Sequence, residues 1–117
     1  MRFDHHKLDV YRVALEFVVL VDPLVDDLPP GRGYLVTQLR KASSSIVSNI
    51  AEGAGEFSPD EKRRFYRMAR RSGTECAAWL DILRELKLID SATHHTATEP
   101  LVRIVSMLVK LIRASAR

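Results

Sequence analysis

Apolar residues recur along the chain at three- and four-residue spacing in four segments, and no stretch of strict alternation marks a strand. The first segment predicts a helix from about Lys7 to Leu28, with Leu8, Tyr11, Val13, Ala14, Phe17, Val18, Leu20, Val21, Leu24 and Val25 as its apolar positions. Pro23 is expected to kink it, because proline removes a backbone donor and crowds the carbonyl four residues earlier. Pro29, Pro30 and Gly31 end it.

The second segment, about Tyr34 to Glu52, sets Leu35, Leu39, Ala42, Ser43, Ile46 and Ile50 on one face, with Gly53 and Gly55 as the expected stop. Its small residues Ala42, Ser43, Ser44, Ser45, Ser48 and Ala51 let a neighbouring helix come close. The third helix opens on Ser58 as N-cap and Pro59 at the first helical position. Asp60 and Glu61 are expected to complete a capping box. Phe65, Met68, Ala69, Ser72, Cys76, Trp79, Leu80, Leu83 and Leu86 then hold one face to about Leu88, a length of some 45 Å at 1.5 Å per residue. The last helix is capped either early by Ser91, with a kink at Pro100, or late by Thr98, with Pro100 in its first turn. Leu101, Ile104, Val105, Met107, Leu108, Leu111 and Ile112 form its apolar set.

Four amphipathic helices joined by short links predict an all-α fold, an antiparallel up-and-down four-helix bundle forming one domain over residues 1–117. The first and last helices are apolar over half their circumference or more, wider than the ~100° stripe that packing on one side needs. Self-association into a homo-oligomer would cover the surplus. A thick monomer core with scattered exposed aliphatics is the alternative.

Composition narrows the picture. A chain of this size buries enough surface to fold without disulfides or a structural metal, and the lone Cys76, set beside Ala77, Ala78 and Trp79, reads as a small core residue. No apolar run approaches the ~20 residues of a membrane span, and the N-terminus shows no secretory signal. A cytoplasmic protein is expected. Eighteen Lys and Arg against 15 Asp and Glu leave a net charge of only +3, so any nucleic-acid binding must come from the distribution of charge.

That distribution is uneven on the third helix. Arg63, Arg64, Arg67, Arg70 and Arg71 cluster opposite the apolar face, whereas Asp81 and Glu85 take the outer face further along. Five arginines per subunit, repeated around an oligomer, would neutralise phosphates with strong salt dependence. A solvated face with ion pairs to Asp60 and Glu61 is the plainer reading. A second group, Gln38, Ser45, Asn49 and Glu52 on the second helix with Ser72 and Glu75 on the third, reads as a structural polar network that sets register. A general acid or base at Glu52 or Glu75 has no histidine or nucleophile placed near it by spacing. His5-His6 and His94-His95 are adjacent pairs that do not share a helix face as metal-gripping i and i+4 pairs do, and read as exposed end residues. Glu-x-x-His motifs of di-iron bundles are missing, and Gly53-Ala54-Gly55 lacks the Lys-Ser/Thr of a phosphate loop. Neither a metal nor a cofactor is expected.

The run from Gln38 to Gly53, with Ser45-Ile46-Val47-Ser48-Asn49-Ile50-Ala51-Glu52-Gly53 as its specific part, followed by Phe65-Tyr66-Arg67-Met68-Ala69, Ser72 and Glu75, closely resembles a bacterial family. These are four-helix-bundle proteins first noticed as reading frames inside intervening sequences of 23S ribosomal RNA genes. The resemblance extends in layout over nearly the whole chain. It implies an up-and-down bundle, often a pentamer, without established enzymatic activity. Relatives include accessory proteins of diversity-generating retroelements, so a reverse transcriptase is an implied partner. The family commonly has an arginine shortly after the Glu-Gly, where this chain has Glu56, and a glycine before the serine of the third helix, where it has Arg71. The expectation is a non-enzymatic, homo-oligomeric bundle that binds RNA or DNA through the third-helix arginines. A protein-interaction scaffold without nucleic-acid contact is the alternative.

Overall fold

A computed structural model describes residues 2–115. Four α-helices follow a short 3₁₀ turn at Asp4–Lys7: α1 (Asp9–Asp26), α2 (Gly33–Gly55), α3 (Pro59–Glu85) and α4 (Ser91–Ala114). No strand occurs among the described residues. Each helix packs on its chain neighbours, and α1 closes against α4. Opposed residues give the directions. Ser45 meets Ser72 while Gly53 meets Phe65 and Tyr66, so α3 returns along α2. Asp81 meets His94, Gly73 meets Val105 and Arg63 meets Ser115, so α4 returns along α3. The result is the expected up-and-down four-helix bundle, 46 × 26 × 20 Å.

The core follows the helical period. Val10, Val13, Ala14, Phe17, Val21 and Val25 of α1 face Leu35, Leu39, Ala42, Ile46 and Ile50 of α2 and Ile104 and Leu108 of α4, all almost wholly buried. Pro23 lies inside α1, which continues to Asp26; the amide of Asp27 donates to the Pro23 carbonyl at 3.2 Å. The proline costs one bond to the Val19 carbonyl, and both Val19 and Pro23 lie on the exposed side of the helix, where water can take the place of the lost donor.

Several boundaries differ from expectation. α2 runs through Gly53 and ends at Gly55. Gly53 is a packing residue rather than a stop: a Cβ built there would stand 2.7 Å from Tyr66 Cε1. The end of α2 is closed by Lys62, whose Nζ donates to the carbonyls of Gly53 and Ala54 at 3.2 and 2.9 Å. That cation satisfies orphan acceptors at the negative end of the helix.

At the start of α3, Ser58 Oγ accepts from the Glu61 amide at 3.4 Å, as predicted. The reciprocal half of the capping box is not made, because the Glu61 carboxylate pairs with Arg64 instead. The buried face of α3 is Tyr66, Ala69, Gly73, Cys76, Leu80 and Leu83. Met68 and Leu86, expected inside, are exposed. Tyr66 and Gly73 replace them, because the ring of Tyr66 covers Gly53, and bare Gly73 admits Val105 and Ile46. α3 stops at Glu85, short of Leu88. The Leu88 amide donates to the Leu83 carbonyl and the Lys87 amide to that of Arg84, both at 2.9 Å, with Lys87 left-handed at φ 60°. This is a Schellman motif with lysine where glycine is usual.

α4 begins at the earlier of the two alternatives, capped by Asp90, whose Oδ1 accepts from the Thr93 amide at 2.7 Å. Pro100 is buried inside the helix. Among the described residues no helix is long and apolar enough to cross a membrane.

Candidate nucleic-acid interface

The five arginines of α3 do not form one uniform patch. Arg63 is drawn inward: one guanidinium nitrogen donates to the Ser115 carbonyl at 2.6 Å and another pairs with Asp60. Its side chain is only 18% exposed, so it ties α3 to the end of α4. Arg64 donates to both Glu61 carboxylate oxygens, at 2.9 and 3.2 Å, and lies 4.5 Å over the Phe65 ring. The Glu61 hydrogen bond raises its pKa above the ordinary arginine value. For these two the local ion-pair reading is realised.

Arg67, Arg70 and Arg71 are different. All three are exposed, and among the described residues none forms an ion pair or donates a side-chain hydrogen bond. Residues three and four apart share a helix face, so they present three guanidinium groups over little more than one turn. Guanidinium offers five donors in a planar fork that matches phosphate.

The predicted polar network assembles in part. Asn49 Nδ2 donates to the Ser45 carbonyl at 2.9 Å and to Ser45 Oγ at 3.0 Å, and Ser72 Oγ donates to Ser45 Oγ at 3.0 Å. This last bond links α3 to α2. Gln38, Glu52 and Glu75 take no part in it; Glu52 and Glu75 are exposed. Charged carboxylates keep their hydration more cheaply than they enter a seam.

Two polar links went unread in the sequence. Arg40 bridges α2 to α1 through Asp22 at 3.3 Å and through Asp26, and Asp26 raises its pKa. His94, expected as an exposed end residue, is mostly buried between α3 and α4. Its Nε2 lies 2.8 Å from Asp81 Oδ1 and its Nδ1 3.3 Å from Arg84 Nη1. Arginine only donates, so Nδ1 is the acceptor on that side and Nε2 faces the Asp81 carboxylate. Such pairings depend on how helices meet, and a single helix's spacing carries no sign of them.

His5 and His6 meet edge to face, and both rings pack at steep angles against Tyr11 at the 3₁₀ turn. Among the described residues no group of three or more His, Cys, Asp or Glu is placed to hold a metal. Cys76 is fully buried, and burial, with Glu75 beside it, pushes its thiol up to about 12. A cleft of about 620 Å³ between the end of α1 and the start of α4 is lined by Leu20, Leu24, Leu28 and Ile89 with Asp27 and Asp90. It has no cation to hold a phosphate, so the arginine face of α3 is the better candidate.

The fold and this face define a small helical-bundle protein with an exposed arginine cluster on its third helix. The chain belongs to the 23S rRNA-intervening sequence protein family, whose model matches residues 6–110. It is also similar in fold to a crystal structure from Bacteroides thetaiotaomicron, a protein of unknown function from the S23 ribosomal protein family. The two are 22% identical with a TM-score of 0.83, over 89% of this chain and 95% of that one. Comparison with curated proteins gives no match.

Proposed function

We propose that this protein is a non-enzymatic, homo-oligomeric bundle that binds RNA or DNA through α3, with Arg67, Arg70 and Arg71 as the phosphate contacts. The observation that carries the reading is the exposure of three neighbouring guanidinium groups with no intramolecular ion pair among the described residues. Arg63 and Arg64 brace the start of the helix through Asp60, Glu61 and Ser115 and contribute field rather than contact. The family's name, 23S rRNA-intervening sequence protein, is in keeping with a nucleic-acid setting. Self-association is supported by large apolar side chains left outside the core, Val19 at 72% and Val102 at 61% exposure among them. Those residues also support the second reading, a scaffold for a protein partner.

Binding to a mixed-sequence RNA and a duplex DNA across a salt series tests the proposal. Each phosphate contact contributes about 0.9 to the slope of log affinity against log salt on duplex DNA and ~0.7 on a single strand. Arg67→Ala/Arg70→Ala/Arg71→Ala should therefore flatten the slope and weaken binding at least tenfold, roughly, while Arg63→Ala/Arg64→Ala has the smaller effect in a folded protein. Absence of wild-type binding at low salt, or equal binding by the triple variant, would leave the protein-scaffold reading in front.

A further inference from the structure

The outer face of α3 carries opposite charge at its two ends. Arg67 and Arg71 lie in the first half, Asp81 and Glu85 in the second, and all four are exposed; the two carboxylate side chains are 57% and 78% open. Between them on the same face stand only Thr74 and Ala78, both exposed and small. At 100° per residue these six positions fall within one stripe about 80° wide. The core-facing side chains lie on the other side of the helix.

This pattern is its own complement when reversed. Laid antiparallel against a second α3 about a two-fold axis near residue 76, Arg67 of one copy faces Glu85 of the other. Arg71 faces Asp81, and Thr74 faces Ala78. Each relation occurs twice, giving four ion pairs around a centre of small side chains, along about 27 Å of helix. The short Thr74 and Ala78 side chains let the axes approach to the ~8 Å of close helix packing, which brings the long Arg and Glu side chains within reach. A two-fold contact requires this self-complementarity of a single patch.

The carboxylates retain capacity for it. Asp81 receives His94 and Arg84 through Oδ1, so its Oδ2 keeps its acceptor sites. Glu85 has one contact, to neighbouring Arg84 at 3.8 Å. Arg67 and Arg71 have no ion pair of their own among the described residues.

We infer that the outer face of α3 is an isologous docking surface for a second copy of this chain, held in antiparallel register by Arg67–Glu85 and Arg71–Asp81 pairs. Exposed ion pairs are individually weak and screened by salt, so the contact is reversible, concentration-dependent and salt-sensitive. It is distinct from association through the apolar surfaces of α1 and α4, which salt would not weaken.

Charge reversal tests the register directly. Sedimentation over a protein-concentration series, at about 0.05 M and 0.5 M salt, would compare wild type with Arg67→Glu, Glu85→Lys and the double variant. Each single reversal makes two of the four pairs repulsive, and should weaken self-association about tenfold or more at low salt. The double variant should recover to within about threefold of wild type. An equimolar mixture of the two single variants should recover the salt-sensitive association that each lacks alone. Both positions are exposed, and the one ion contact either makes among the described residues is the 3.8 Å approach of Glu85 to Arg84, so circular dichroism should be unchanged. Single variants that associate like wild type, or a folded double variant that stays weak, overturn the inference.

Discussion

At the scale of single residues, two buried glycines in helices make opposite predictions. A methyl group at Gly53 would meet the Tyr66 ring at 2.7 and 2.9 Å and Phe65 Cβ at 3.2 Å. The ring is itself buried and cannot swing away freely. Overpacking strain of about 1–3 kcal/mol should exceed the ~1 kcal/mol helix-propensity gain of alanine, so Gly53→Ala destabilises by up to about 2 kcal/mol. At Gly73 the nearest atoms, Val105 Cγ2 and Ile46 Cδ1, stand at 3.5 and 3.9 Å, which is ordinary contact. Gly73→Ala should stabilise by up to about 1 kcal/mol. Urea unfolding of the pair checks both signs, and two equal effects would refute the steric account of Gly53. Cys76 gives a chemical prediction at the same scale. With its thiol pushed up to about 12, about one part in ten thousand is thiolate at pH 8. A thiol reagent should leave the native protein unlabelled and react once denaturant opens the core; rapid native labelling would contradict the burial.

Helix ends show where the sequence was legible and where it was not. The four helices, the Ser58 cap and most core positions follow from periodicity and local chemistry, which a single helix carries on its own. The buried face of α3 is turned by part of a turn from the one its apolar spacing predicts, because Tyr66 and Gly73 lie on it. Their burial depends on Gly53 and Val105, contributed by other helices. Likewise Lys62, closing α2 from α3, and Arg40, clamping α1, are tertiary choices invisible to spacing. Of the candidate site, the arginine cluster was legible, but the division between braced Arg63 and Arg64 and unpaired Arg67, Arg70 and Arg71 required side-chain geometry. The stop of α3 was missed because Lys87 occupies the left-handed position that glycine usually marks. A side chain there costs roughly 1 kcal/mol, so Lys87→Gly should stabilise by about 0.5–1 kcal/mol in thermal or urea unfolding. Asp90 predicts a pH effect at the start of α4. Hydrogen bonds from Thr93 lower its pKa, so its contribution is present above the unfolded carboxylate value of about 3.9 and is lost as pH falls through the lower folded value. The stability difference between wild type and Asp90→Ala should be constant near neutrality and shrink in acid. A difference that grows in acid would reverse the assigned sign.

For the whole molecule, the net charge of +3 conceals a separation of charge along α3 that gives one surface two competing partners. Arg67 and Arg71 are the groups proposed to meet phosphates and also the groups proposed to meet Glu85 and Asp81 of a second copy. A guanidinium committed to a carboxylate has fewer donors left for a phosphate, so the two contacts are linked. By reciprocity, nucleic acid weakens α3 self-pairing by the same factor with which self-pairing weakens nucleic-acid binding. The two variants separate these roles. Arg67→Glu removes a shared cation and should weaken both contacts. Glu85→Lys breaks the pairing but frees Arg67 and adds positive charge, so nucleic acid should bind about twofold to tenfold tighter at low salt. The wild type, titrated at two protein concentrations with trace labelled RNA, should show lower affinity per subunit at the higher concentration, and Glu85→Lys should not. If Glu85→Lys binds RNA no better than wild type while its self-association is weakened, the nucleic acid contacts some other face and the arginines of α3 serve self-pairing alone.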